Sequence, residues 1–163
     1  MIFLSVGSEF QFGRLVAAID RLIGESLLTE EVFAQIGYGG FQPQHMQWVA
    51  TMPRSTFNRY IQESTAVISH AGMGTIIECL RMDKPLLVMP RLKRHKEHVN
   101  DHQVGTAKKF EERGSILVAY DTGDLPPKIN QLKSFHPSPA SLISRKAMVD
   151  YINRFLEDLS GRI

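Results

Sequence analysis

The segment Val67–Glu78, which reads V-I-S-H-A-G-M-G-T-I-I-E, combines the residue types that a phosphate site needs. An apolar run ends in Ser-His, glycines follow at Gly72 and Gly74, and a helical pattern begins near Thr75. A helix start carries unpaired backbone N–H groups and a partial positive charge, and glycines in front of it let an anion reach the bare backbone. The order of strand, glycine turn and helix therefore predicts a phosphate-binding turn.

The same segment has a purely structural interpretation. Thr75 and Glu78 have the spacing of a capping box, in which the hydroxyl and the carboxylate each satisfy a free donor at a helix start. The dinucleotide fingerprint G-x-G-x-x-G is also incomplete, because Ile77 stands where the third glycine belongs. No acidic residue is well placed after the second apolar run to bind an adenine ribose. Together with the incomplete fingerprint, this disfavours a nicotinamide-dependent dehydrogenase.

A second concentration of polar residues follows Pro90. Residues 91–96 carry five basic or titratable side chains, which could attract a diphosphate or an anionic lipid surface, or could simply form a solvated loop. Residues 97–103, E-H-V-N-D-H-Q, are dense in hydrogen-bonding side chains, which suits the hydroxyl groups of a sugar.

A metal site is an alternative for these residues. His98 and His102 are four positions apart and could share a helical face, with Glu97 or His95 as a further ligand. The run lacks the H-E-x-x-H order and a third ligand at fixed spacing. We therefore predict no metal.

Apolar runs that suit buried strands alternate with helical patterns along the whole chain. Continuous apolar runs, separated by helices, indicate a parallel sheet covered on both faces, which is a doubly wound α/β domain. Ligands of such sheets bind outside the carboxyl ends of the strands, so the turn after the first strand, the glycine turn and the loop after Pro90 should meet at one edge. The predicted strands are 2–6, 32–36, 48–52, 66–68, 85–89 and 116–119.

Length and composition narrow the class of protein. The 163 residues, 43% apolar and 22% charged, predict one domain over residues 1–163, and the formal charge of +2 does not indicate a nucleic-acid partner. The single cysteine, Cys79, excludes an internal disulfide and fits a reducing compartment. The first residues resemble neither a signal peptide nor a membrane span, so we expect a cytoplasmic protein.

An apolar stripe over 141–160 predicts a terminal helix that packs on the domain or on a partner.

Three motifs in order, S-H-A-G-M-G-T-I-I-E, K-P-L-L-V-M-P and E-H-V-N-D-H-Q-V-G-T-A, resemble the donor-binding C-terminal half of GT-B glycosyltransferases of family 28. The likeness extends over nearly the whole chain. It is greatest to the small members of two-chain UDP-sugar transferases that act in dolichol-linked oligosaccharide and exopolysaccharide synthesis. The resemblance implies a Rossmann-like fold and an inverting transfer of a hexose from a UDP-sugar to a lipid-linked acceptor, with no metal or other cofactor.

The resemblance also implies roles for individual residues. The glycine turn would face the diphosphate, the following helix would contact the ribose, and the pair before the next helix would contact the donor sugar. His70 is a candidate for contact with the phosphate or the acceptor, although a histidine that ends a buried strand is as often structural. The nucleotide and diphosphate residues would be Gly7, Ser8, Ser69, Gly72, Gly74, Thr75 and Glu78, and the sugar residues His102 and Gln103.

Larger members of the family carry an N-terminal half that binds the acceptor and supplies the catalytic base, and this sequence shows no such half. We therefore expect a membrane-anchored, acceptor-binding partner subunit that holds the chain at the membrane periphery and supplies the base. Two alternatives stay open: a non-catalytic enhancer of a partner glycosyltransferase, and an enzyme related to UDP-sugar epimerases.

Overall fold

The computed structural model, which describes residues 1–7 and 10–138, places six parallel strands in one sheet. Ser8 and the predicted terminal helix over 141–160 lie outside the described residues. The strands are β1 (Ile2–Ser5), β2 (Val32–Gln35), β3 (Gln47–Val49), β4 (Ala66–His70), β5 (Leu86–Met89) and β6 (Leu117–Val118), in the spatial order β3-β2-β1-β4-β5-β6.

This strand order is the Rossmann order, and it confirms the predicted doubly wound sheet. The order reverses between β1 and β4, which pair in register from Ile2 opposite Ala66 to Ser5 opposite Ser69. The chain therefore leaves the two central strands in opposite directions, and a crevice opens at their carboxyl ends.

Five α-helices of the described residues cover the two faces of the sheet. Successive strand residues point to opposite faces, so the apolar side chains of the strands divide into two clusters. One cluster contains helices α1 (Gly13–Gly24) and α5 (Leu125–Leu132), and the other contains α2 (Arg54–Glu63), α3 (Met73–Arg81) and α4 (His102–Glu111).

An aromatic stack fixes α2 against the sheet. The ring of Tyr60 lies 5.4 Å from that of Phe3 on β1 and 4.4 Å from that of Phe33 on β2, both in stacked orientation. Such offset pairs add to the free energy of burial. Because α2 follows the parallel strand β3, its first residues lie at the carboxyl edge of the sheet.

The predicted and observed element bounds differ at the third strand. The sequence predicts a strand over 48–52, whereas β3 ends at Val49 and the chain turns toward Pro53, the residue before α2. Among the strands of residues 1–7 and 10–138, β3 lies at the edge and pairs with β2 alone, so less of its apolar run is held in the sheet. Within the described residues, every helix is too short or too polar to cross a lipid bilayer.

Candidate functional site

The carboxyl ends of β1 and β4 are tied together by their serines. The Ser69 hydroxyl donates to the Ser5 carbonyl at 2.7 Å, and the Ser5 hydroxyl accepts from the backbone N–H of Gly7 at 3.3 Å. Ser69 is fully buried, so its side chain has a structural role between the strands. As a result, the Gly7 turn and His70 leave the sheet side by side.

The ring of His70 fills the space between two of the predicted glycines. A Cβ atom on Gly72 would lie 2.1 Å from His70 Nε2, and one on Gly7 would lie 2.9 Å from Cε1. Gly7 also has a φ of +76°, which other residues rarely adopt. Both positions therefore require glycine because of the fold itself.

Gly74 differs from these two glycines. A Cβ atom built on it meets nothing within 4 Å, and the residue is exposed at the start of α3. Packing within the described residues does not explain a glycine here. It leaves the backbone open to a group that approaches from outside.

His70 is held neutral by its surroundings. Burial, followed by the charges of Arg91 and His98, lowers the pKa of its imidazole from 6.5 to about 3, although a hydrogen bond with the Ser5 backbone acts to raise it. Its Nδ1 lies 3.3 Å from the Ser69 hydroxyl. At neutral pH the ring can donate and accept hydrogen bonds but carries no charge, so it cannot form an ion pair with an anion.

The start of α3 excludes the capping box. The helix begins at Met73 with Gly72 as its N-cap, and no described side chain caps it. Thr75 is therefore the third helical residue and is buried, so the alternative that pairs it with Glu78 at the helix start is wrong. The sequence missed this start because a glycine N-cap has no side chain that signals it.

Glu78 lies one helical turn beyond Gly74, on the same face of α3. Its carboxylate pairs with Arg54, the first residue of α2, at 3.0 Å and with Arg81 at 4.0 Å. The Arg54 side chain is 82% exposed, so this ion pair contributes little to stability and a polar ligand can compete for the carboxylate.

Side chains of residues 97–103 hold the loop after β5. Three consecutive backbone N–H groups donate to later side chains: Arg91 to Gln103 Oε1 at 3.1 Å, Leu92 to Glu97 Oε2 at 2.9 Å and Lys93 to Asp101 Oδ1 at 2.7 Å. Much of the hydrogen-bonding capacity that suggested a sugar site therefore serves the loop itself.

The predicted sugar pair is divided by this arrangement. Gln103 is buried and its carbonyl oxygen is engaged by Arg91, whereas His102, the first residue of α4, is exposed. The His102 ring packs edge-on against His98 at 4.6 Å, and its Nδ1 contacts Asn100 Oδ1. Of the two, only His102 presents its side chain to solvent.

The basic run after Pro90 is not one surface. Arg91 is 3% exposed and donates from one terminal nitrogen to the carbonyls of Val6 and Phe10, whereas Lys93, Arg94 and Lys96 are exposed. Sequence reasoning treated these cations together and missed the structural place of Arg91. The available signal was its position directly after a buried strand and Pro90.

A second arginine that the sequence did not single out fixes the same loop to α1. Arg14 forms a two-point ion pair with Glu97, with distances of 2.7 and 2.9 Å, and donates to the Pro90 carbonyl at 3.3 Å. Glu97 is therefore not available to a metal beside His98. The described part of the chain contains no group of three His, Cys, Asp or Glu side chains that could hold a metal ion.

Comparison with known proteins adds to this geometry. A model of the glycosyltransferase family 28 C-terminal domain matches residues 1–154. The UDP-N-acetylglucosamine transferase subunit ALG13 of Cryptococcus neoformans is 33% identical over 107 residues, which are 64% of this chain and 50% of that protein. The chain thus spans about half the length of this curated relative.

Two solved structures share the fold. The solution structure of ALG13 has a TM-score of 0.59 at 22% identity, and the match covers 86% of this chain and 89% of that one. The glycotransferase of kitacinnamycin has a TM-score of 0.61 at 18% identity, with 86% of this chain and 36% of that chain covered.

Proposed function

Because the chain belongs to the glycosyltransferase family 28 C-terminal domain family, as its motifs predicted, we propose that it is the donor-binding subunit of an inverting glycosyltransferase. The donor is a UDP-sugar, and the transferred group is a hexose. The site is the crevice at the carboxyl ends of β1 and β4, with α3 on one side of it.

The observation that carries this proposal is the open backbone at Gly74. The start of α3 presents N–H groups and a partial positive charge, and Gly74 leaves room for an anion to approach. Gly72 and Gly7 are required by the packing of His70, so only Gly74 is left for a ligand to explain. A diphosphate at this point is matched by helix N–H groups, and we propose that it needs no metal.

The neighbouring side chains suit the other parts of a UDP-sugar. Glu78 lies one turn along the same face of α3. Its carboxylate can accept hydrogen bonds from the ribose hydroxyls when they replace its exposed ion-pair partner Arg54. Neutral His70 is a hydrogen-bond partner for the diphosphate or the acceptor. Exposed His102 is the sugar contact, whereas buried Gln103 holds the Arg91 backbone of the loop after β5.

The proposed transfer is a single displacement at the anomeric carbon of the donor sugar. An acceptor hydroxyl attacks the anomeric carbon, the bond to the diphosphate oxygen breaks, and UDP leaves with its charge stabilised by the start of α3. The hydroxyl proton passes to a base, which we propose is supplied by a membrane-anchored partner subunit that binds a lipid-linked acceptor. The description of the ALG13 relative as a transferase subunit supports this assignment.

The variant Gly74→Ala tests the site. Alanine is favoured over glycine in a helix by up to about 1 kcal/mol, so the free energy of unfolding should stay the same or rise. Calorimetry should show UDP affinity reduced at least about tenfold, because the methyl group occupies the path of the phosphate.

Gly105→Ala is the matched control. Gly105 lies within α4, and a Cβ atom built on it also meets nothing within 4 Å, so the stability effect should be similar while UDP affinity is unchanged. A wild-type chain that does not bind UDP, or a Gly74→Ala chain that binds it normally, would contradict the proposed function.

A further inference from the structure

Arg54 occupies the carboxylate that the ribose of the donor would need. It is the first residue of α2, and its Nη2 donates to Glu78 Oε1 at 3.0 Å. The side chain of Glu78 is 13% exposed, whereas that of Arg54 is 82% exposed, so the carboxylate is enclosed while the guanidinium lies largely in water. Exposed ion pairs of this kind contribute little to stability. The arginine can therefore leave Glu78 without disturbing the fold.

This ion pair lies close to the open backbone at Gly74. Gly74 and Glu78 are four positions apart on α3, and residues at that spacing lie about 5–6 Å from each other on one face of a helix. Both α2 and α3 follow parallel strands, so Arg54 and Gly74 stand near the starts of their helices, at the carboxyl edge of the sheet. A guanidinium that leaves Glu78 can therefore reach a phosphate at Gly74 by rotation of its own side chain.

A diphosphate brings more negative charge than the start of α3 can balance. A helix start acts as about half of one positive charge, whereas a diphosphate carries several negative charges at neutral pH. The lowered pKa of His70 leaves its ring neutral, so it does not supply the missing charge. Arg81 also lies beside Glu78, but it is seven positions after Gly74, which is about 10 Å along the helix axis. Of the two arginines that pair with Glu78, Arg54 is therefore the one placed to meet the phosphates.

We propose that Arg54 exchanges partners when the donor binds: the ribose hydroxyls take its place on Glu78, and the released guanidinium pairs with the diphosphate at Gly74. This inference rests on the proposed UDP-sugar site and adds a residue to it. The exchange couples the two parts of the nucleotide, because a ribose that occupies Glu78 frees a cation and the diphosphate is the anion that receives it. The same charge stabilises UDP as it departs during transfer.

The test compares UDP with uridine by NMR titration of the purified chain and its Arg54→Gln variant. Uridine has no phosphate and has only to displace the arginine, so its affinity should stay the same or rise by up to about fivefold in the variant. UDP affinity should fall by about tenfold, because a charge-assisted contact with the phosphates is lost. Arg54→Lys keeps the positive charge and should recover part of the UDP affinity.

Arg81→Gln is the matched control. The Nη1 of Arg81 lies 4.0 Å from the same Glu78 oxygen, and its side chain is 68% exposed, so this variant removes a similar charge from the same carboxylate. Because Arg81 is too far from Gly74 to reach the phosphates, UDP affinity should stay within about twofold. Salt provides a second measurement: UDP affinity should weaken less steeply with ionic strength in Arg54→Gln than in the wild type or in Arg81→Gln.

The outcomes separate this inference from the proposed function. If the wild-type chain binds UDP and the Arg54→Gln chain binds it as well or better, the arginine merely competes with the ligand and the exchange is wrong. Equal losses of UDP and uridine affinity, or an equal loss of UDP affinity in Arg81→Gln, would also overturn the exchange and leave the UDP site itself in place. A wild-type chain that binds neither compound would refute the proposed function and the exchange together.

Discussion

Acidification should destabilise this protein through His70. The pKa of the buried imidazole is lowered from 6.5 to about 3, so between these values the unfolded chain holds a proton at this position that the folded chain does not. Stability is therefore present above pH 6.5 and is lost as the pH falls below it. Each pH unit corresponds to about 1.4 kcal/mol, so a fall from about 6.5 to about 5 lowers the free energy of unfolding by about 2 kcal/mol.

The variant His70→Gln isolates this contribution. Glutamine retains hydrogen-bonding groups but does not titrate, so the variant should lose about 2 kcal/mol less than the wild type between about pH 7.5 and about pH 5. Urea unfolding followed by circular dichroism at the two pH values gives both free energies. Other titrating groups contribute equally to both proteins and cancel in the comparison.

A second variant guards against a general effect of removing a histidine. His136 is exposed, and its Nδ1 is 2.9 Å from the Ser134 carbonyl. His136→Gln should lose as much stability on acidification as the wild type. Equal losses in the wild type and His70→Gln would refute the reasoning, because His70 would then gain its proton in the folded protein as readily as in the unfolded chain.

Two further substitutions test the side chains around the crevice. Glu78→Ala should reduce UDP affinity several-fold in calorimetry while the free energy of unfolding changes by less than about 1 kcal/mol, since the ion-pair partner Arg54 is exposed. Unchanged transferase activity of the variant with the proposed partner subunit would favour the non-catalytic enhancer. Arg14→Met should lower the free energy of unfolding by about 3 kcal/mol in urea, because it leaves the 8%-exposed Glu97 carboxylate without its two-point partner. The double variant with Glu97→Leu should recover part of that loss, and additive losses would show that the two side chains do not act as a pair.

The alternation of apolar runs and helical stripes was enough to predict the parallel sheet and to bring the loops after β1, β4 and β5 to one edge. These features depend on the local spacing of apolar residues, which can be read directly from the sequence. The roles of the individual glycines cannot be predicted from this spacing. Gly7, Gly72 and Gly74 look alike in the sequence, but two of them make room for His70 and one faces open space.

The arginines show the same limit at longer range. Arg14 and Glu97 are 83 positions apart, and nothing local indicates that they meet. Arg91 stands in a run of cations whose other members are exposed, so composition alone assigns it to the surface. The packing of elements that are far apart in the chain decides which polar residues are buried. The local spacing of apolar residues does not predict this.

The self-bonded loop after β5 has a consequence for how a ligand is selected. Its backbone N–H groups at Arg91, Leu92 and Lys93 are already occupied by Gln103, Glu97 and Asp101. The segment therefore loses its conformational freedom when the chain folds, and little remains to be lost when a small molecule arrives. At the proposed donor site such a loop would select a ligand by its fixed shape, and a different sugar would be accommodated by exchanging exposed side chains such as His102 while the backbone stays in place.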